Sequence, residues 1–418
     1  MFYHLLFYHT VVRRAIRYEA NSFYLSGFYP LLFIFYRLCA RYRSGVPPPN
    51  SAVETSAWQT AEGKQRLAEQ IVQNMTQEEK VGQLLIIGLS DTVLQATDQE
   101  LLQSCHAGGV ILFDRNMKNK QQVADLIREL QKMTSPSLQL PLFVAVDQEG
   151  GRVTRMRQAM IAAPSATSIA AGKNPKVAYE YAYKIGRELK DLGFNLNFAP
   201  VLDISANMDG RTYGSTPEQV ELFGKEAARG FADSGILFTL KHFPGMGRSL
   251  TDPHDAASVV TINKEELLQN ELRPFRSVIA QTSPDKMLIM AGHVKYPEID
   301  SEPASLSSVM ITQILKKELG YEGLVCTDDL DMNAISKNYS PETAGIQALQ
   351  AGAEILLSCH TPTVQRRIYQ SILEALKNGS LDSAIIDKAA AKVTYVKLQR
   401  IMTDEEVKNI YLRLNRKN

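Results

Sequence analysis

Cysteine is scarce: four residues in 418, Cys39, Cys105, Cys326 and Cys359. None forms a Cys-x-x-Cys pair, and no Cys/His spacing resembles a zinc site. A disulfide framework is therefore excluded. Cys326 and Cys359 lie in apolar runs and read as buried free thiols. No excess of either charge is present: 46 basic and 45 acidic residues leave a net charge of +1. That balance argues against a nucleic-acid partner, which requires a basic face. No Gly-x-Gly-x-x-Gly fingerprint follows the first strand-like run, so a dinucleotide-binding sheet is disfavoured. No solenoid repeat is present, and no low-complexity tract follows residue 60. The apolar share, 44%, is ordinary and allows a sizeable core.

Residues 1–43 carry one acidic residue, Glu19, and many aromatics. Arg13, Arg14 and Arg17 precede the apolar run Phe23–Tyr36; Arg37, Arg41 and Arg43 follow it. The run is shorter than the roughly 20 residues of a spanning helix and contains Pro30. It has the length of a signal-peptide apolar region, though no small-x-small cleavage site follows. Three readings stay open: an export signal, a membrane-surface segment within residues 1–45, or translated sequence upstream of the true start. Localisation is accordingly either cytoplasmic or exported and membrane-associated. Pro47-Pro48-Pro49 opens a linker. Residues 1–60 are read as an N-terminal extension and 61–418 as the folded domain.

From Ala61 on, short apolar runs alternate with amphipathic stretches. The expected strands are Gln83–Leu89, Gly108–Phe113, Pro141–Asp147, Phe194–Asp203, Gly235–Phe243, Met287–Val294, Gly323–Asp328 and Ala353–Cys359. Continuous apolar runs suit parallel strands buried on both faces. The expected helices include Lys120–Met133, Pro175–Leu192, Pro217–Asp233, Lys264–Ala280, Ser307–Leu319, Pro341–Ala351 and Leu381–Gln399. Several open with Ser, Thr or Asn before Pro or Glu, which is helix-start chemistry. Eight such units predict an α/β fold, a closed (β/α)₈ barrel; an open doubly wound sheet is second.

Barrel enzymes draw their catalytic groups from the C-terminal ends of strands. Here strand three ends in Asp147, strand four in Asp203, and strand five in Lys241-His242. Strand six ends near His293, strand seven in Asp328-Asp329, and strand eight near His360. Convergence from so many strands points to a site rather than to isolated caps. After strand three, Gly150-Gly151 allows a tight turn or a close approach to a ligand, and Arg155 returns towards the mouth. Asp147 and Arg155 suit sugar hydroxyls through charge-assisted hydrogen bonds. Arg211, after strand four, is another donor.

The segment Lys241–His254 continues a strand into a loop. A Lys at the end of a buried strand implies a cavity or an anionic partner. In Asp252-Pro253-His254 the carboxylate can hold one imidazole nitrogen and leave the other free to move a proton. Glycosidic hydrolysis with retention needs a carboxylate nucleophile and a proton donor. Asp328 and Asp329 are candidates for the first, and His254 with Asp252 for the second. The residues alone do not choose between the two adjacent aspartates.

These motifs, in this order, resemble the bacterial β-N-acetylhexosaminidases of glycoside hydrolase family 3. They are Ala145–Arg155 (AVDQEGGRVTR), Asn197–Asp203 (NFAPVLD), Lys241–His254 (KHFPGMGRSLTDPH), Pro303–Ser307 (PASLS) and Thr327–Met332 (TDDLDM). The resemblance spans about residues 64–400. It implies a single-domain (β/α)₈ barrel cleaving terminal N-acetyl-β-D-hexosamine residues through a covalent intermediate on Asp328. His254 is then the acid/base, tuned by Asp252. Asp147, Arg155, Arg211, Lys241 and His242 bind the sugar. No metal or cofactor is implied, and a monomer is expected. The implied substrate is a carbohydrate, a peptidoglycan muropeptide or chitin-type N-acetylglucosaminide. Two positions depart from the family pattern: Met246 replaces a His, and Pro253 replaces a Ser. Pro253 biases the residues before it towards extended geometry and stiffens the loop. Phosphorolysis, a β-glucosidase-like activity and a non-catalytic sugar-binding role are the other readings.

Overall fold

The computed structural model describes residues 57–134, 138–206, 208–247 and 258–415. Residues 58–418 form one compact unit. Trp58 is buried in its core, so the unit begins slightly before the residue-61 boundary. Cys39, the apolar run within residues 1–45 and the linker lie outside the described residues. Among the described residues no helix is long and apolar enough to cross a membrane.

Ten strands are described: β1 Leu85–Gly88, β2 Gly109–Leu112, β3 Phe143–Val146, β4 Leu196–Asn197 and β5 Leu237–Phe243, then β6 Met287–Ala291, β7 Lys295–Tyr296, β8 Asp300–Pro303, β9 Leu324–Asp329 and β10 Ile355–Ser358. Eight of them close a parallel barrel in the order β1-β2-β3-β4-β5-β6-β9-β10, with β10 returning to β1. The (β/α)₈ expectation is met, strand for strand. Most barrel-strand residues are buried, as expected of strands packed on both faces.

Strand β4 is shorter than the expected Phe194–Asp203. Pro200 has no N–H to give a ladder, and regular pairing stops at Asn197. The chain nevertheless stays beside β5: Leu202 N donates to the Lys241 carbonyl at 2.7 Å. Asp203 is thereby delivered to the barrel mouth.

Three helices share one local code. Pro175–Leu192, Pro217–Ser234 and Pro341–Ala351 each start with proline behind a capping Asn174, Thr216 or Ser340. Each ends on a left-handed glycine, Gly193, Gly235 or Gly352. The expected helix Lys264–Ala280 is instead two helices, Lys264–Gln269 and Arg273–Ile279. Pro274 explains the break, because it cannot donate to the preceding turn. The expected Ser307–Leu319 helix forms as Val309–Glu318 with wide, π-type turns. The antiparallel pair β7–β8, which follows β6, had no counterpart in the expected elements.

Cys105, Cys326 and Cys359 are buried free thiols, as the sequence suggests. The Gly150-Gly151 turn is explained by the fold. Both residues have positive φ, and a Cβ on Gly151 would sit 2.7 Å from Ser165 Cα. The close approach is to the chain at 163–165.

Candidate active site

Asp147 follows β3, Asp203 follows β4, and Lys241-His242 lies in β5. His293 follows β6, and Asp328-Asp329 ends β9. All stand at the same, C-terminal rim of the barrel, where such folds carry their chemistry.

An ion cluster occupies one side of the rim. Lys241 Nζ lies 2.7 Å from Asp147 Oδ1 and 2.7 Å from Glu149 Oε1. Arg211 donates twice to Glu149, from Nε at 2.9 Å and from a terminal nitrogen at 2.8 Å. Burial alone would raise the Glu149 carboxyl. The charges of Lys241 and Arg211 outweigh burial and hold it well below the ordinary range. Burial likewise works against Lys241⁺, but Asp147 and Glu149 overcome it and keep the ammonium charged. Arg155 donates to Asp114 Oδ2 at 3.1 Å and lies 3.6 Å from Asp147 Oδ2. Its guanidinium stands over the Phe113 ring at 5.4 Å.

A second group is built on Asp203, which is fully buried. His242 Nδ1 is 2.7 Å from Asp203 Oδ2, and the Met246 N–H donates to Oδ1 at 2.8 Å. The imidazole of His242 is thereby oriented by the end of β4. Met246, one of the two departures from the family pattern, contributes its backbone to this arrangement and packs its side chain on the core.

The adjacent aspartates part ways because strand β9 persists through both and sends them to opposite faces. Asp328 remains partly open to solvent and is influenced by His242, His293 and Lys241. Burial pushes its carboxyl up. The His242 and His293 imidazoles, the Asp329 N–H and the Lys241 ammonium outweigh that and bring it below the ordinary value. Asp329 points towards β10, accepting from Asp331 N at 3.1 Å and Cys359 N at 3.0 Å. Burial, and then the Asp331 charge, push it up to about 7. At neutral pH Asp328 is ionised, whereas Asp329, near 7 and with His360 Nε2 3.4 Å from its Oδ2, is about half protonated.

That contrast gives a stability prediction. A carboxyl near 7 in the folded chain and near its ordinary 3.8 when unfolded is a raised group. Its favourable contribution is complete below about pH 4 and is lost as pH rises to about 7. Asp329→Asn keeps the acceptor oxygen and cannot ionise. Its stability by urea unfolding is expected to gain on the native chain between pH 4 and 7, then hold a constant lead of roughly 4 kcal/mol, about three pKa units at about 1.4 kcal/mol each. A lead that stays flat across this range would contradict the assignment.

The structure brings together Asp328, Asp147, Arg155, Arg211, Lys241 and His242. Asp252 and His254 lie in 248–257, outside the described residues, as does Pro253. Asp203 and His293 were expected among the strand ends that converge on the site, but without a role, and Glu149 was not singled out. Glu149 was visible only within the Ala145–Arg155 motif, two residues beyond Asp147.

Residues 76–396 match the Glycosyl hydrolase family 3 N terminal domain. The chain belongs to glycosyl hydrolase family 3. Within that family its relatives are of the β-hexosaminidase type. It is 33% identical over 334 residues to beta-hexosaminidase A of Pseudoalteromonas piscicida, covering 73% of this chain but 56% of that protein. It is 33% identical over 283 residues to the beta-hexosaminidase of Idiomarina loihiensis, covering 66% of this chain and 83% of the relative. Among solved structures, a family 3 beta-N-acetylglucosaminidase from Paenibacillus sp. str. FPU-7 superposes with a TM-score of 0.75 at 37% identity. That match covers 82% of this chain and 69% of the other. The family 3 barrel is therefore established by fold, by sequence and by the order of its motifs.

Proposed function

We propose that this family 3 barrel is a retaining exo-β-N-acetylglucosaminidase, releasing terminal N-acetyl-β-D-hexosamine through a glycosyl-Asp328 intermediate. The observation that carries the reading is Asp328 itself. It is a carboxylate held ionised, reachable by solvent, and ringed by His242, His293 and Lys241 at the barrel mouth. The names of the relatives support the sugar class.

In the first step Asp328 attacks the anomeric carbon as the bond to the leaving oxygen breaks. The leaving oxygen takes a proton from His254, which Asp252 orients. In the second step water attacks the same carbon, gives a proton to His254, and frees the Asp328 carboxylate. Asp147, Arg155, Arg211, Lys241 and His242 hold the hydroxyls of the terminal sugar. The Lys241–Glu149–Arg211 cluster fixes those donors in advance, so little ordering is left for the moment of reaction. A muropeptide fragment of peptidoglycan is the substrate proposed.

Proton NMR of the first sugar formed from an aryl N-acetyl-β-glucosaminide tests this. The β-anomer of free N-acetylglucosamine is expected. The α-anomer would exclude retention, and a sugar 1-phosphate formed in phosphate buffer would indicate phosphorolysis. His254→Ala is expected to slow substrates with poor leaving groups about 100-fold more than activated aryl glycosides. Equal losses across leaving groups would reduce His254 to a structural residue.

A further inference from the structure

The Pro303–Ser307 motif has no role in the steps above, yet the structure ties it to the reacting group. Ser305 lies just after β8 and is fully buried; His293 is 2% exposed. His293 Nε2 is 2.9 Å from the Asp329 carbonyl oxygen. A carbonyl only accepts, so Nε2 carries the ring proton. His293 Nδ1 is 2.8 Å from Ser305 Oγ. In the neutral ring Nδ1 is then the acceptor and the Ser305 hydroxyl donates. Burial pushes the His293 imidazole down, in keeping with that neutral form. Ser305 N also donates to the Gly292 carbonyl at 3.0 Å, which fixes the two residues to each other.

The place of this chain of bonds matters. Pairing of β6 with β9 ends at Ala291 with Thr327. Beyond it, no β6 pairing reaches the Asp328–Asp329 peptide. From the β6 side the His293 N–H holds the next peptide, through the Asp329 carbonyl, which also accepts from Met332 N at 3.1 Å. The Asp329 N–H donates to Asp328 Oδ1 at 2.8 Å. We infer that Ser305 and His293 are positioning residues: the hydroxyl selects the His293 tautomer, whose N–H anchors the end of β9 and so aims the Asp328 carboxylate. This inference rests on Asp328 being the attacking group. The groups that bear on Asp328 are His242 and Lys241 from β5, His293 after β6, and the Asp329 N–H.

The test uses the full chain and an aryl N-acetyl-β-glucosaminide. Ser305→Ala is expected to lower kcat about tenfold, with KM within about twofold and a thermal midpoint close to native. Ser305→Thr keeps the hydroxyl and is expected to recover most of the rate. His293→Leu removes the N–H donor, and its kcat is expected to fall about 100-fold. His293→Gln offers an amide N–H at the same reach, and at least a tenfold recovery over His293→Leu is expected. Native kcat in Ser305→Ala, or equal rates for His293→Gln and His293→Leu in folded protein, would overturn the inference. If His293→Leu does not fold, the Ser305→Ala and Ser305→Thr pair decides alone. Asp328→Ala is assayed beside them. If it turns over normally, the reading of the site fails; if it is inactive while Ser305→Ala is native, only the relay fails.

Discussion

Asp328→Ala is expected to cut turnover of an aryl N-acetyl-β-glucosaminide by roughly four orders of magnitude, with the fold intact. The carboxylate has no substitute. Asp329, one residue on, faces β10, is held by the Asp331 and Cys359 N–H groups, and is pushed towards its neutral form. Asp147 is engaged with Lys241 at 2.7 Å. Removing the Asp328 side chain leaves space at the anomeric carbon for a small anion. Added azide is therefore expected to restore turnover and give an α-glycosyl azide, the product of attack from the vacated face. Turnover within a few-fold of native, or azide rescue giving the β-azide, would remove Asp328 from the reaction.

Glu149→Ala is expected to be the most destabilising substitution at the rim. The Glu149 side chain is nearly inaccessible and neutralises Lys241 and Arg211 together. Truncating it leaves Arg211 without its bidentate partner and Lys241 with Asp147 alone. Breaking a buried pair from one side costs about 3–5 kcal/mol. The sign with pH follows from the lowered Glu149 carboxyl. Its contribution is present above the ordinary glutamate value of 4.5 and is lost as pH falls through its lower folded value. The deficit of Glu149→Ala, measured by urea unfolding, is thus expected to be full at pH 6–8 and to shrink under acid. Glu149→Gln keeps the shape and one acceptor, so it separates charge from packing. KM should rise in both variants, because Lys241 and Arg211, the donors proposed to bind the sugar, lose their alignment. An unchanged urea midpoint at pH 7 would show that the cluster contributes little.

Much of this architecture was legible in the sequence. Continuous apolar runs such as Gly109–Leu112 and Phe143–Val146 mark buried parallel strands, and the Asn/Thr/Ser-Pro starts and glycine stops mark three helices within a residue. What was missed depends on bonds between distant segments. Strand β4 is shorter than its apolar run because Pro200 interrupts the regular ladder, although Ala199 and Pro200 still accept from Thr239 N and Lys241 N of β5. The break at Pro274 was readable from proline chemistry, but the strong apolar period of Lys264–Ala280 hid it. At the site, Lys241 and His242 stood out because charge at the end of a buried strand is costly. Asp203 was expected at the rim but its pairing was not, because its partner His242 lies 39 residues away. His293 and Ser305 are 12 residues apart, separated by the β7–β8 pair that the sequence pattern did not reveal. The residues alone do not choose between Asp328 and Asp329; the resemblance implies Asp328, and the structure adds how the two surroundings differ. The strand rule says only that they face opposite sides, while the groups surrounding each say which carboxyl is ionised.

The covalent intermediate on Asp328 is the central claim. Its most direct test is to incubate the full chain with a fluorinated N-acetyl-β-glucosaminyl fluoride that loads quickly and releases slowly. The protein is then digested at low pH and the labelled peptide sequenced by mass spectrometry. One fluorosugar is expected per chain, on the peptide containing Asp328 and on that residue. Label on Asp329 or another carboxylate, or an unlabelled chain that still turns over ordinary substrate, would contradict the account.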